Sequence, residues 1–181
     1  MLKFTDYDIV FREIPDEVTL AINLSNCPHR CPGCHSRQLQ QDIGAELSCE
    51  VLLSLINRYK DDITCVCFMG GDASPDDVCR LAAVVKRYCG LKTGWYSGNS
   101  HLYDDKCKAV FDFIKLGDYR QALGGLDKPT TNQRLYRIEA ETLHDITHLF
   151  LKKRVSRYAA RKLCLSEMSY FRCEKKICMC F

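Results

Sequence analysis

Three cysteines lie close together in one short segment of the sequence. Cys27, Cys31 and Cys34 are separated by three and then two residues, and two prolines and a glycine stand between them. Iron–sulfur clusters are held by cysteine thiolates, and a cubane cluster contains four irons, so three cysteines leave one iron without a protein ligand. A metal with an open coordination position can bind and activate another molecule, as catalytic zinc does. The spacing therefore predicts a [4Fe–4S] cluster with one open iron.

Two other interpretations of this segment stay open. A structural zinc site needs four ligands, and His29 or His35 would have to complete the set. Structural zinc sites usually use two separated pairs of ligands, a pattern that this segment does not have. The thiols could also be incidental, although three cysteines among turn-forming residues are poor material for a hydrophobic core.

A second group of candidate residues follows an apolar run further along the chain. Gly70, Gly71 and Asp72 come directly after residues 63–69, whose composition is typical of a buried strand. A carboxylate and exposed backbone carbonyls at a strand end suit the ammonium group of a ligand. A plain turn is the alternative for these three residues.

The elements that must position these residues alternate between strands and helices. One helix is predicted to begin at Ser48, and a second is predicted to begin at Ser74-Pro75 and to end at Gly90. Residues 117–133 are predicted to form a long loop, and residues 157–167 a terminal helix. Strands are predicted over residues 17–24, 63–69, 92–97, 110–116 and 134–138. This order argues for a parallel α/β sheet, in which ligands bind at the carboxyl ends of the strands.

Composition narrows the class of protein. The chain has 181 residues, 46% of them hydrophobic and 27% charged, with a net charge of +3. These values are typical of a globular chain, and so small a net charge gives no reason to expect nucleic-acid binding. We expect no membrane span, since no run approaches the ~18 apolar residues that one needs. The sequence shows no apolar signal segment and has 13 cysteines, an odd number, which favours free or metal-bound thiols in a reducing cytoplasm.

The end of the chain carries its own group of thiols. Cys164, Cys173, Cys178 and Cys180 would suffice for a zinc ion or a second cluster, and a redox-sensitive tail is the alternative. We predict one domain over residues 1–155, followed by a C-terminal helix and cysteine-rich tail over 156–181.

The spacing Cys27-x3-Cys31-x2-Cys34 resembles the cluster motif of the radical S-adenosylmethionine (SAM) enzymes. The resemblance implies that the three cysteines hold a [4Fe–4S] cluster and that SAM chelates the fourth iron. One electron from the cluster then cleaves a carbon–sulfur bond of SAM, which gives methionine and a 5′-deoxyadenosyl radical. The family often has an aromatic residue before the third cysteine, where this chain has Gly33.

The same resemblance assigns roles at the predicted strand ends. Gly70, Gly71 and Asp72 resemble the family's Gly-Gly-Glu-like motif, which holds the SAM amino group, although Asp72 is one methylene shorter than Glu. A hydroxyl at the end of the third strand, here Ser97, reaches the SAM ribose or carboxylate in similar enzymes, and a plain turn hydroxyl is the alternative for this residue. We predict no residue with an acid–base or nucleophilic catalytic role.

The resemblance also implies the fold. A complete (β/α)8 barrel takes about 250 residues, so this chain is expected to form a partial (β/α) barrel of about five or six β/α units. Such a barrel is open on one side, which suits a macromolecular substrate that inserts a loop.

A further stretch, residues 119–136, resembles the Gly-x-Tyr … Thr-Asn-Gln-Arg segment of the activating proteins of anaerobic (class III) ribonucleoside-triphosphate reductases. Cys34-His35-Ser36 is similar to the Cys-His-Asn run of glycyl-radical activases. The implied reaction removes a hydrogen from a backbone glycine of the reductase. The implied partners are the reductase's glycyl-radical subunit and a flavodoxin or ferredoxin that donates the electron. Asn132 and Arg134 are expected either to bind SAM or the reductase tail, or to brace their loop.

Two alternative functions remain. The chain could be a radical SAM protein that acts on another glycyl-radical enzyme or on a small molecule. It could also be a non-catalytic zinc or iron–sulfur module for binding or electron transfer. Binding of SAM separates the last alternative from the other two, because a saturated metal site has no position for SAM.

Overall fold

Eight strands form one mixed sheet in the computed structural model, which describes residues 1–151. The strands are β1 (Lys3–Val10), β2 (Thr19–Leu24), β3 (Ala45–Glu46), β4 (Cys65–Met69), β5 (Lys92–Tyr96), β6 (Phe113–Leu116), β7 (Arg134–Glu139) and β8 (Thr142–Asp145). The helices are α1 (Cys49–Tyr59), α2 (Pro75–Val84) and α3 (Cys107–Val110), and α2 continues into a π-helical turn over Val85–Cys89. The predicted terminal helix and the cysteines at 164, 173, 178 and 180 lie outside the described residues.

The centre of the sheet is parallel and its edges are antiparallel. Strand order is β3-β1-β2-β4-β5-β6-β7-β8, and the pairs β2–β4, β4–β5 and β5–β6 are parallel. Each parallel pair is joined through one helix, because a parallel connection must cross from one end of the sheet to the other. Parallel pairing is confirmed for the four central strands, whereas the predicted strand over residues 134–138 is β7, which pairs antiparallel to β6. The partial (β/α) barrel that is open on one side stays a prediction.

Both faces of β4 are buried. Val66 and Phe68 pack with the apolar side chains of α1, α2 and α3 on one face. Cys65 and Cys67 pack on the opposite face in a second cluster with Phe113. A strand that is buried on both faces needs apolar residues at successive positions, and this explains the continuous apolar run in the sequence of β4. It also confirms that Cys65 and Cys67 are core residues.

Local signals place the ends of the first two helices. The Ser48 hydroxyl accepts a hydrogen bond from the Val51 amide at 3.3 Å, and so caps α1. The predicted start of the second helix at Ser74-Pro75 is confirmed, with Pro75 in the first turn of α2. The Ser74 hydroxyl, which would be expected to cap this helix, makes no capping hydrogen bond. Gly90 ends the π-helical turn with a left-handed φ of +65°.

Several elements differ from the sequence predictions. The sequence analysis predicts no strand at β1, β3 or β8, yet β1 pairs antiparallel with β2 and with β3, and β8 pairs antiparallel with β7. β1 is half-exposed on both faces, so its sequence lacks the alternation that identifies a strand. Val110 ends α3 rather than beginning a strand, and β6 begins at Phe113.

Candidate metal centre

The cysteine segment forms an irregular loop after β2, and backbone hydrogen bonds close it at its base. The amides of Asn26 and Cys27 donate to the carbonyls of Gln41 and Leu39, each at 2.9 Å. Within the loop the Cys34 amide donates to the Cys31 carbonyl at 3.1 Å. These bonds hold the loop as a compact unit at the carboxyl end of the strand.

The structure brings the three thiols to one pocket with the ends of the parallel strands. The pocket has a volume of about 210 Å³. Besides the cysteines it is lined by residues at the ends of the four parallel strands, among them Leu24, Met69, Gly70, Asp72, Tyr96, Gly98, Lys115 and Gly117. The cysteine loop and the Gly-Gly-Asp turn, which lie far apart in the sequence, therefore face the same space.

The three thiols line one pocket, as ligands of a cluster would have to do. Within residues 1–151, no three His, Cys, Asp or Glu side chains are grouped closely enough to hold one metal ion. Thiolates of a cubane bind different irons and need not converge on one point, whereas zinc requires a tetrahedral set. His29, a candidate fourth zinc ligand, pairs with Asp72, with Nε2 and Oδ2 3.1 Å apart. A histidine that binds zinc often makes such a carboxylate contact through its other ring nitrogen, so this pairing does not separate the two kinds of site.

Several groups that can carry negative charge lie near Cys27, the first cysteine of the loop. Burial raises the pKa of the Cys27 thiol, and the charges of Asp72, Cys31 and Cys34 raise it further against a backbone hydrogen bond at His29. Three thiolates at this site repel one another, so their common deprotonated form needs a cationic partner. The irons of a cluster supply that charge.

Asp72 is the most highly connected polar residue of the candidate set. Its side chain is only 2% exposed. Its carboxylate accepts hydrogen bonds from the Ser97 hydroxyl at 2.5 Å, the Gly98 amide at 2.8 Å and the Asn99 side-chain amide at 3.3 Å, besides the contact with His29. Asp72 and Ser97, two of the predicted SAM-binding residues, thus form a hydrogen bond with each other, and each has further hydrogen-bond partners within the protein.

The two glycines of the turn serve different purposes. Gly70 lines the pocket with φ of +98°, and its carbonyl accepts a hydrogen bond from Trp95 Nε1 at 2.7 Å. Gly71 is buried beneath the turn with φ of +88°. A Cβ on Gly71 would lie 2.6 Å from Val78 Cγ2 and 2.7 Å from Leu24 Cδ1, so a side chain here would force its neighbours to move.

Asn132 and Arg134 brace the loop over residues 117–133 and do not line the described pocket. The Asn132 side-chain amide donates to the carbonyl of Asp118 at 2.9 Å. Arg134 Nη1 donates to the carbonyls of Thr131 and Gln133 at 2.7 and 2.8 Å. Of the two expectations for these residues, the structure shows bracing contacts; Asn132 holds Asp118, which does line the pocket.

Lys115 is a pocket residue that the sequence reasoning missed. It is 7% exposed on β6, and its ammonium donates to the carbonyls of Gly117 at 2.6 Å and Ser97 at 3.2 Å. Burial lowers the pKa of Lys115 to about 8, with a partial offset from the charges of Asp72 and Cys31. The available signal was a single lysine inside the apolar run of residues 113–116, since buried lysines are rare.

These features define an iron–sulfur protein, with a three-thiolate loop set beside a polar pocket. The chain belongs to the 4Fe-4S single cluster domain family, whose model matches residues 18–134. The match spans more than half of the chain and includes the cysteine loop and all four parallel strands. The comparisons with curated proteins and with solved structures found no match. No helix among residues 1–151 is long and apolar enough to cross a membrane.

Proposed function

We propose that this protein is a radical SAM activase that generates the glycyl radical of an anaerobic ribonucleoside-triphosphate reductase. The shared pocket carries the proposal, because the thiols of the cluster loop open into the same space as the carboxyl ends of four parallel strands. A ligand in that space lies beside the cluster, where SAM has to bind in order to reach an open iron. A non-catalytic module whose metal has all its coordination positions filled by protein ligands would not need a pocket beside the metal.

Each group of residues has a distinct task in the proposed reaction. When bound and reduced, the cluster supplies the electron that cleaves SAM into methionine and the radical that takes hydrogen from a glycine. Cys27, Cys31 and Cys34 hold the cluster. Lys115 is mostly protonated at neutral pH and offers positive charge to the SAM carboxylate. Apolar pocket residues such as Met69 exclude water from the reacting atoms.

The proposed partners follow from the resemblance of residues 119–136 to the reductase-activating proteins. Tyr119 lines the pocket, so this segment borders the site at which a substrate glycine would enter. The run of parallel strands supports a partial (β/α) barrel of the radical SAM type with one open side. A flavodoxin or ferredoxin of the cytoplasm would donate the electron.

The first experiment tests for cluster and SAM together. The protein is reconstituted with iron and sulfide without oxygen, reduced, and examined by EPR with and without SAM. We expect a reduced [4Fe–4S] signal that changes when SAM is added. A cluster signal indifferent to SAM, or bound zinc without a cluster, would overturn the radical mechanism.

The second experiment tests the substrate. The reduced protein and SAM are mixed with the glycyl-radical subunit of an anaerobic ribonucleotide reductase, and with a glycyl-radical enzyme of a different reaction as the control. We expect a glycyl-radical EPR signal on the reductase alone. A signal only on the control enzyme would leave the radical chemistry standing and reassign the substrate.

A further inference from the structure

His29 lies between Cys27 and Cys31, and its ring contacts residues at the ends of β4 and β5. Its Nε2 is 3.1 Å from Asp72 Oδ2, and its side chain is 21% exposed. Because a carboxylate only accepts hydrogen bonds, His29 is the donor in this contact. The contact ties the loop to a residue 43 positions further along the chain.

The backbone at Gly98 is shaped to admit this ring. A Cβ on Gly98 would lie 2.3 Å from Cδ2 and 2.7 Å from Nε2 of His29. No real Cβ tolerates such distances, so the absence of a side chain at Gly98 is what allows the imidazole to reach Asp72. The close packing of the ring against Gly98 thus adds a steric contact to the hydrogen bond with Asp72.

Asp72 is itself held firmly from the other side. The Ser97 hydroxyl and the Gly98 amide fix its carboxylate to the end of β5, and its own backbone follows β4. The docked His29 therefore connects the cysteine loop to two adjacent strand ends through a buried carboxylate. A carboxylate already supplied with donors in this way has little capacity left for the ammonium group of a ligand.

We propose that His29, Asp72 and Gly98 form a latch that sets the position of the cluster loop against the ends of β4 and β5. His29 is a positioning residue, and Asp72 acts on the cluster through it. This inference deepens the proposed function and rests on the cluster that it assigns. It departs from the role that the resemblance implied for Asp72, which was direct contact with the SAM amino group.

The test begins with the full-length chain before any iron is added, so that it does not depend on the cluster or on SAM. The alkylation rate of the peptide that carries Cys27, Cys31 and Cys34 is followed by mass spectrometry under anaerobic reducing conditions. We expect His29→Ala and Gly98→Ala each to accelerate alkylation at least fivefold. His29→Gln keeps an N–H donor near the position of Nε2 and should remain within twofold of the parent. His35→Gln is the matched control, because His35 is exposed and adjoins Cys34.

A double variant tests whether the contacts of the latch act as one unit. His29→Ala combined with Gly98→Ala should alkylate no faster than the faster single variant, because either change alone displaces the imidazole from Asp72, and neither alters the charge of Asp72. Folding of every variant is checked by circular dichroism. Folded His29→Ala and Gly98→Ala variants that alkylate at the parent rate overturn the latch, and so does a double variant in which the two effects multiply.

Reconstituted protein separates the latch from direct SAM binding by Asp72. If the latch is correct, His29→Ala and Asp72→Asn broaden the reduced-cluster EPR signal alike and weaken SAM binding by similar factors. Weakened SAM binding in Asp72→Asn with parent-like binding in His29→Ala overturns the assignment of Asp72 to the latch. A parent protein that assembles a cluster without a response to SAM overturns the proposed function, while the alkylation result still decides the latch.

Discussion

The chemistry of individual side chains at this site depends on which charges face them. Lys115 and Asp72 lie within the same buried region as the cysteine thiols, and each is supplied with protein hydrogen-bond partners. A buried ammonium beside thiolates offsets part of their negative charge, whereas the carboxylate adds to it. The reactivity of the three cysteines is therefore a property of the pocket rather than of the loop alone.

Loss of any one loop cysteine should remove the cluster and its reactivity. Cys27→Ala, Cys31→Ala and Cys34→Ala are each expected to abolish reductive SAM cleavage, since the proposed cluster assigns each thiolate to a different iron. Cys65→Ala is the control, because this thiol is fully buried in the core. Iron content and methionine release, both measured anaerobically, check the prediction. Normal SAM cleavage by any loop variant would contradict the cluster assignment.

Removal of the buried ammonium should weaken SAM binding. Lys115→Met preserves much of the side-chain volume and deletes the charge that we assign to the SAM carboxylate, so we expect the Kd for SAM to rise about tenfold, equivalent to roughly 1.4 kcal/mol. Equilibrium binding to the reconstituted protein provides the measurement. Lys86→Met serves as the control, since Lys86 pairs with Asp112 away from the pocket. An unchanged Kd in Lys115→Met would remove Lys115 from the SAM site.

At the scale of elements, tight turns at the strand ends place the polar groups. β4 turns sharply at Gly70 and Gly71, both with left-handed backbone, and α2 begins four residues later at Pro75. The turn carries Asp72 beneath the cysteine loop and at the same time packs Gly71 against Val78 of α2. A change at this turn would therefore affect both the packing of α2 and the position of the Asp72 carboxylate.

Two glycines with similar backbone angles should respond very differently to substitution. Gly71→Ala adds a methyl group where Val78 and Leu24 leave no room, so we expect destabilisation of about 3 kcal/mol from crowding and backbone strain together. Gly90→Ala has φ of +65° but nothing within 4 Å of the new Cβ, so strain alone should cost roughly 1 kcal/mol. Urea unfolding of both variants supplies the comparison. Equal losses would show that crowding at Gly71 is relieved by movement of α2.

For the molecule as a whole, a cysteine-rich core links stability to pH. Burial raises the pKa of the Cys67 thiol well above its ordinary value, and that of Cys65 as well. In the unfolded chain these thiols ionise at a pKa of about 8.5. A group whose folded-state pKa is raised contributes stability that is complete below the unfolded pKa and is lost as the pH rises. The folded state should therefore weaken in alkaline solution.

A comparison of the parent with Cys67→Ala isolates one such thiol. Above about pH 9 the parent should lose about 1.4 kcal/mol of unfolding free energy per pH unit more than the variant does, because only the parent gains a thiolate at this position on unfolding. Urea unfolding with reductant, from pH 7 to pH 10.5, measures both curves. Parallel curves across this range would mean that Cys67 ionises in the folded protein.

Much of the scaffold could be predicted because its signals are local. The buried run of β4, the Ser48 cap of α1 and the stop at Gly90 each depend on residues within a few positions of one another. The spacing of the three cysteines likewise predicted an iron–sulfur site before any strand was placed, and the family match supports the [4Fe–4S] cluster. β1 escaped prediction because its half-exposed faces leave no periodic pattern.

What the sequence determined by itself was the spacing of three thiols that predicts a cluster, and the order of the four strands of the parallel core. Only the tertiary structure decided what surrounds those thiols. Asp72 is bonded to groups 25 to 43 positions away, and Lys115 gains its burial and low pKa only once the strands are side by side. The reason is physical: spacing and periodicity act along the chain, whereas burial, charge interaction and hydrogen-bond partnership arise from distances in space that the sheet creates.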